Sequence, residues 1–339
     1  MELEELKKYD KNDMLGALKI FPMQIEEAAK LRADLPGITQ ENISNIIIAG
    51  VGGSGIGGML LKNYLADKLE MPVICLRDYS VPLFAGKNTL AFIVSYSGDT
   101  EEALAVLQQL RLMGAYTITL SKGGQLEKES SEYYIKLPEI KQPRMAIGYL
   151  IIPILISLRK AGLLKNNLDT EIKECAETLA QLSEYLADDD NIAMKIAQAL
   201  HNKIPLIYSS EKFSSTAYRF VTQINENAKQ FAFFHTIPEQ NHNEINAIDA
   251  NKRNDLSAVF IRDLGDHARI KKRIEYFMSL MIKKGIAVHE VHARGTGLLA
   301  RMFSTIYICD FISYYLALLN NVDPMPVDAI TKLKQHMAE

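Results

Sequence analysis

Between residues 45 and 137 short apolar runs alternate with helix-like stretches, and this alternation constrains the fold more than any other feature of the chain. "NIIIAG" (45–50), "PVICLRD" (72–78), "TLAFIVSYS" (89–97), "YTITLSK" (116–122) and "YYIKLP" (133–138) read as strands. Between them, 59–69 has helical periodicity, and 101–114 is an amphipathic helix closed by Gly114. Strands apolar along their whole length need cover on both faces, which a parallel sheet between helices provides. From Pro143 to about residue 200 the pattern is helical, with an acidic break at 187–191. Strands are expected again at 204–210, 258–263 and 286–293, and helices at 214–231, 266–284 and 296–319. The expected fold is α/β, with two doubly wound parallel-sheet domains, each an α-β-α sandwich, joined by a helical segment. The boundaries fall at 1–150, 151–198 and 199–339.

A chain of 339 residues exceeds what one core usually absorbs, in keeping with two domains. A net charge of −3 argues against a general nucleic-acid binder. Cys75, Cys175 and Cys309 are dispersed and odd in number, so they suggest neither a disulfide framework nor a cysteine zinc site. The charged opening "MELEELKKYD" is no signal region, and the longest apolar run (146–158) is too short to span a bilayer. A cytoplasmic protein with no membrane or nucleic-acid partner is expected.

The loop "GVGGSGIGG" (50–58) puts Gly50, Gly52 and Gly55 in G-x-G-x-x-G spacing between a strand and a helix. Such a loop brings backbone N–H groups and the positive end of a helix to an anion. Asp78 at the end of the next strand keeps a dinucleotide reading open. Ser54 in this loop, with Ser95, Ser97 and Thr100 after the third strand, favours a phosphate monoester instead. Neighbouring parallel strands would bring those hydroxyls to one sheet edge, where they can donate to phosphate oxygens. A competing reading of "SGDTEE" (97–102) is a capping box formed by Asp99 and Glu102.

The glycine loop and "SYSGDTEE" (95–102) resemble the sugar isomerase (SIS) domain that binds phosphosugars. With "PRMA" (143–146), "NENAK" (225–229), "NHNEI" (241–245) and "DPMPVDAITKLK" (323–334), the resemblance narrows to the bifunctional phosphoglucose/phosphomannose isomerases of archaea and bacteria. It implies an aldose–ketose isomerase that acts on a phosphosugar through a cis-enediol, with no cofactor and no metal. It further implies a homodimer with shared active sites. Gly53, Ser54, Ser95, Ser97 and Thr100 would bind phosphate, and Lys332 would contact substrate.

The resemblance gives Glu226 the role of base, although the local pattern also suits a helix glutamate paired with Lys229 three residues on. His242, in a polar loop, would open the sugar ring from the neighbouring subunit. Arg144 would steady negative charge on the enediolate, where a solvated loop arginine is the plainer alternative. One position departs from the family: Met325 stands where relatives commonly carry a threonine associated with accepting both C2 epimers. A thioether cannot donate a hydrogen bond as that hydroxyl does, so the mannose branch rests on weaker ground. His289 and His292 lie three apart on an expected strand and face opposite sides, a poor chelate. A non-catalytic phosphosugar regulator and a nicotinamide oxidoreductase are the competing functions.

Overall fold

The computed structural model describes residues 3–337 apart from 32, 35–37, 39, 131–132 and 189. The first two residues of the charged opening and Asp189 of the acidic break therefore lie outside the described residues. The chain forms two compact units, each built on one parallel sheet.

The sheet A unit comprises residues 20–177 and 297–300. Its strands are β1 (Asn45–Ala49), β2 (Val73–Leu76), β3 (Thr89–Val94), β4 (Tyr116–Ser121) and β5 (Tyr134–Lys136), in the order β2-β1-β3-β4-β5. Every residue of β1 and β3 is buried, in keeping with the apolar runs that follow Asn45 and Thr89. Ile47, Ala91 and Ile93 pack on Val106, Leu107 and Leu110 of helix Glu101–Leu112. Each fully buried isoleucine, valine or leucine among them contributes about 1.5–3 kcal/mol relative to exposure.

The order 2-1-3-4-5 differs from the 3-2-1-4 arrangement of the dinucleotide fold. After β1 the chain turns to one side for β2 and to the other for β3, so the crevice of this sheet opens at the carboxyl ends of β1 and β3. Those ends carry the glycine loop and the serine loop.

The sheet B unit comprises residues 1–19, 178–296 and 301–339. Its strands are β6 (Ile204–Ser210), β7 (Phe233–Ile237), β8 (Leu256–Arg262) and β9 (Ala287–His292), in the order β7-β6-β8-β9. Strand β7 is absent from the sequence-based expectation, which extends a helix through 231 and treats 235–245 as a loop. The helix instead ends at Gln223, and an edge strand lies beyond it. The two sheets share the order 2-1-3-4 over their first four strands, a repeat of topology without a repeat of residues.

Tyr208, Phe260 and Phe277 form the aromatic heart of this unit, with Tyr208 and Phe260 stacked 5.0 Å apart and Tyr208 edge-on to Phe277 at 5.2 Å. Residues 1–19 pack here and not with the first sheet: Leu6, Met14 and Leu18 are buried, and Tyr307 Oη donates to the Leu18 carbonyl at 3.0 Å. Helix Leu298–Leu319 is long and apolar enough to cross a membrane, yet 94% of its apolar window is buried inside the protein.

Candidate active site

The sheet A unit brings its glycine and serine loops together. Helix Gly52–Leu65 begins inside the glycine run, so Ser54 sits in its first turn. Because β1 and β3 are hydrogen-bonded neighbours, the two loops leave the sheet side by side. The Tyr96 N–H donates to Ser54 Oγ at 3.2 Å, which ties one loop to the other. Ser95 Oγ lies 2.7 Å from Thr100 Oγ1 and 3.5 Å from Ser97 Oγ, and it accepts the Gly98 N–H at 3.1 Å. Four hydroxyls thus converge on one sheet edge. Ser54 and Ser95 are buried, while Ser97 and Thr100 are half-buried.

Two glycines make this packing possible. Gly98 has φ +85°, and a Cβ there would lie 1.8 Å from the Gly123 carbonyl oxygen. A Cβ on Gly53 would lie 3.1 Å from Arg144 Cα, so the glycine loop rests directly on the turn that carries Arg144.

The capping-box expectation is corrected. The N-cap of helix Glu101–Leu112 is Thr100, with no side-chain cap bond, and Asp99 Oδ1 instead accepts the Gln125 N–H at 2.8 Å. That bond turns the Asp99 carboxylate toward helix Gly124–Lys128, in keeping with the attraction of an acid to a helix N-terminus. Asp78 caps its own turn by accepting the Tyr79 N–H at 2.7 Å.

Arg144 lies in the short turn Pro143–Met145, just before helix Ile147–Lys160. It is 4% exposed, which overturns the solvated-loop alternative. A buried guanidinium keeps its charge and needs anionic or polar company.

In the sheet B unit, helix Ser214–Gln223 passes into a single π-helical turn, Ile224–Ala228, that carries Glu226. Isolated π turns gather at functional sites. Lys229 ends it in the left-handed conformation, φ +54°. Its Nζ donates to three backbone carbonyls, those of Glu226 at 2.6 Å, Pro324 at 3.4 Å and Pro326 at 2.8 Å. These bonds bring "DPMP" (323–326), with its buried Met325, against the glutamate turn. Lys332 lies further on, exposed on helix Asp328–Met337.

His242 closes the turn Glu239–His242 after β7 and is exposed. Glu244, within the "NHNEI" motif but given no role by the sequence analysis, anchors this stretch. Its carboxylate accepts Tyr208 Oη at 2.5 Å and lies 3.0 Å from His235 Nδ1. Burial, with Glu244 alongside, pushes the Tyr208 hydroxyl well above the ordinary phenol range.

Glu226 precedes β7 and His242 comes after it, so the two lie toward opposite edges of sheet B. The five residues of β7 alone span roughly 13 Å at ~3.3 Å per residue. Sequence reasoning cannot find this separation without finding the strand. His289 is half-buried and His292 exposed on β9, consistent with opposite faces. Among the described residues no three His, Cys, Asp or Glu gather as a metal ion would need.

Residues 189–337 match the bacterial phospho-glucose isomerase C-terminal SIS domain. A bifunctional phosphoglucose/phosphomannose isomerase of Caldicellulosiruptor bescii is 37% identical, covering 96% of this chain and 99% of its own. The same-named protein of Thermoplasma acidophilum is 37% identical over 87% of this chain and 90% of its own. Among solved structures, a hypothetical protein of Thermus thermophilus superposes with a TM-score of 0.75 at 15% identity, covering 99% of this chain and 94% of that one. That likeness supports the fold alone. Identity that runs through the whole length, on a fold with two parallel sheets and a hydroxyl-lined loop edge, makes the chain an aldose–ketose isomerase of the bifunctional phosphoglucose/phosphomannose isomerase family.

Proposed function

We propose that the chain interconverts glucose 6-phosphate and fructose 6-phosphate through a cis-enediol, without a metal or redox cofactor. The convergence of Ser54, Ser95, Ser97 and Thr100 at the β1/β3 switch point carries this reading. Together with the Gly53 backbone N–H and the N-terminus of helix Gly52–Leu65, these neutral donors suit a doubly charged monoester. Ser95 supports the others through its bond to Thr100, and Ser97 and Thr100 are the more accessible pair.

The chemistry then needs three acts. His242 gives a proton to the ring oxygen as the C1–O5 bond breaks and takes one from the C1 hydroxyl. Glu226 removes the C2 proton, leaving the electron pair in the enediol, and returns a proton to C1. Arg144, held beside the phosphate loop, offsets the charge that grows on O1 and O2. Lys332 contacts the substrate from helix Asp328–Met337. Nothing is oxidised by an outside agent, since C1 gains the electrons that C2 gives up.

A homodimer with shared sites is part of the proposal, and β7 is its support. Glu226 precedes this strand and His242 follows it, which favours a site to which a second copy supplies one of the two. Cytoplasmic residence is also proposed, on the dispersed cysteines.

A coupled assay with glucose 6-phosphate and mannose 6-phosphate, with and without a chelator, tests the reading. Turnover of the glucose ester that survives chelation is expected. Chelator-sensitive turnover would refute the metal-free mechanism, and binding of phosphosugars without turnover would favour a regulator.

A further inference from the structure

The π turn that carries Glu226 is not something its own residues demand. Ile224-Asn225-Glu226-Asn227-Ala228 continues an amphipathic helix, and an uninterrupted α-helix would be the local default. A π turn inserts one residue, which rotates the downstream backbone by roughly 100° relative to a continuous α-helix. A line of buried polar groups on helix Leu298–Leu319 faces the turn. Asn227 Nδ2 donates to Ser313 Oγ at 2.9 Å, and Ser313 Oγ donates to the Asp310 carbonyl at 2.7 Å. Asp310 Oδ2 accepts Arg219 Nη2 at 2.7 Å, one helical stretch before the turn. Asn320 Nδ2 donates to the Ala228 carbonyl at 3.0 Å, at the turn's far end.

Every member of the Arg219–Asp310–Ser313–Asn227 line is 4% exposed or less. Buried ion pairs of this kind are often no more stabilising than apolar residues of similar volume, so their presence points to specificity of geometry. Asn227 is the immediate neighbour of Glu226 and is fully buried, so its bond to Ser313 fixes the rotation of the turn about the helix axis.

We infer that Asn227 and Ser313 are positioning residues for Glu226, holding the π turn in the register that aims its carboxylate at the substrate. The inference rests on the proposed role of Glu226 as base.

Ser313→Ala tests it in the full chain, with kcat, KM, the isotope effect on glucose 6-phosphate deuterated at C2, and melting temperature as readouts. The expected result is a kcat lowered about ten- to hundredfold, the scale of a small misplacement of a catalytic group, with KM within about twofold. The isotope effect should rise as proton abstraction becomes more limiting. Ser313→Thr, which keeps the hydroxyl, should recover most of the rate. Ser257→Ala, which removes a buried hydroxyl elsewhere in the same sheet unit, should leave kcat and the isotope effect unchanged. Asn227→Ala, read in the same way, decides the matter if Ser313→Ala alone fails to fold. An unaltered kcat and isotope effect in Ser313→Ala, alongside an inactive Glu226→Gln, would overturn the inference. An active Glu226→Gln would instead overturn the assignment of the base.

Discussion

Ser95 and Ser97 sit two residues apart in one loop, and the structure assigns them different losses on truncation. Ser95 Oγ is buried and has two bonds of good length, to Thr100 Oγ1 at 2.7 Å and from the Gly98 N–H at 3.1 Å. The 3.5 Å approach to Ser97 is at the limit of a hydrogen bond and adds little. Each good bond is worth about 1 kcal/mol net, and Gly98 keeps a second acceptor in the Ser95 carbonyl at 3.1 Å. Ser95→Ala should therefore cost about 1–2 kcal/mol, a fall in melting temperature of about 3–6 °C for units of this size. Ser97 Oγ is partly exposed and accepts a long 3.3 Å bond from the Asp99 N–H, which water can replace. Ser97→Ala should change stability by no more than about 0.5 kcal/mol. If its hydroxyl donates to phosphate, however, the lost charge-assisted bond of about 1.5–3 kcal/mol should raise KM roughly ten- to hundredfold. Calorimetry and a coupled assay on both variants read the two quantities separately. If Ser97→Ala loses as much melting temperature as Ser95→Ala and keeps its KM, the loop is a structural turn and not a phosphate cradle.

Other outcomes are expected from the same structure. Inactive Glu226→Gln and His242→Ala chains, unfolded and refolded together in equal amounts, should regain about a quarter of wild-type activity, because half the dimers are mixed and each mixed dimer restores one of its two sites. No recovery would argue against shared sites. Met325→Thr should raise turnover of mannose 6-phosphate relative to glucose 6-phosphate, since it restores a hydroxyl beside the Lys229-braced Pro324 and Pro326; an unchanged ratio would remove Met325 from epimer choice. His289 is held below the ordinary imidazole range by burial, so the folded chain takes up a proton there less readily than the unfolded chain. Stability should therefore decline as pH falls through about 6.5, and His289→Gln should flatten that decline in urea titrations at about pH 7.5 and 5.5.

The sheets are legible where the sequence carries their burial openly. β1 and β3 are apolar at every position after their first residue because helices cover both faces, and runs that short suit strands better than helices. β7 is hidden because it is an edge strand of mixed character, with Phe233 exposed and His235 half-buried, although aromatic and β-branched residues before Pro238 are a usable signal. The phosphate edge can be anticipated, since parallel neighbours deliver their loops to one edge. The direction of the Asp99 carboxylate cannot, because it depends on Gln125, far along the chain. Nor can the π turn: side chains on helix Leu298–Leu319, more than eighty residues away, hold it. Arg144 shows the same limit, for only the fold reveals that a residue type usually found at the surface is buried beside Gly53.

The decisive measurement is nuclear magnetic resonance of fructose 6-phosphate formed from glucose 6-phosphate in heavy water. Proton transfer through an enediol by Glu226 predicts deuterium at C1 of the product with the wild-type chain, and neither isomerisation nor exchange with a Glu226→Gln chain that still binds fructose 6-phosphate. Product formed by the wild type without any solvent deuterium, or rapid exchange by Glu226→Gln, would contradict the account.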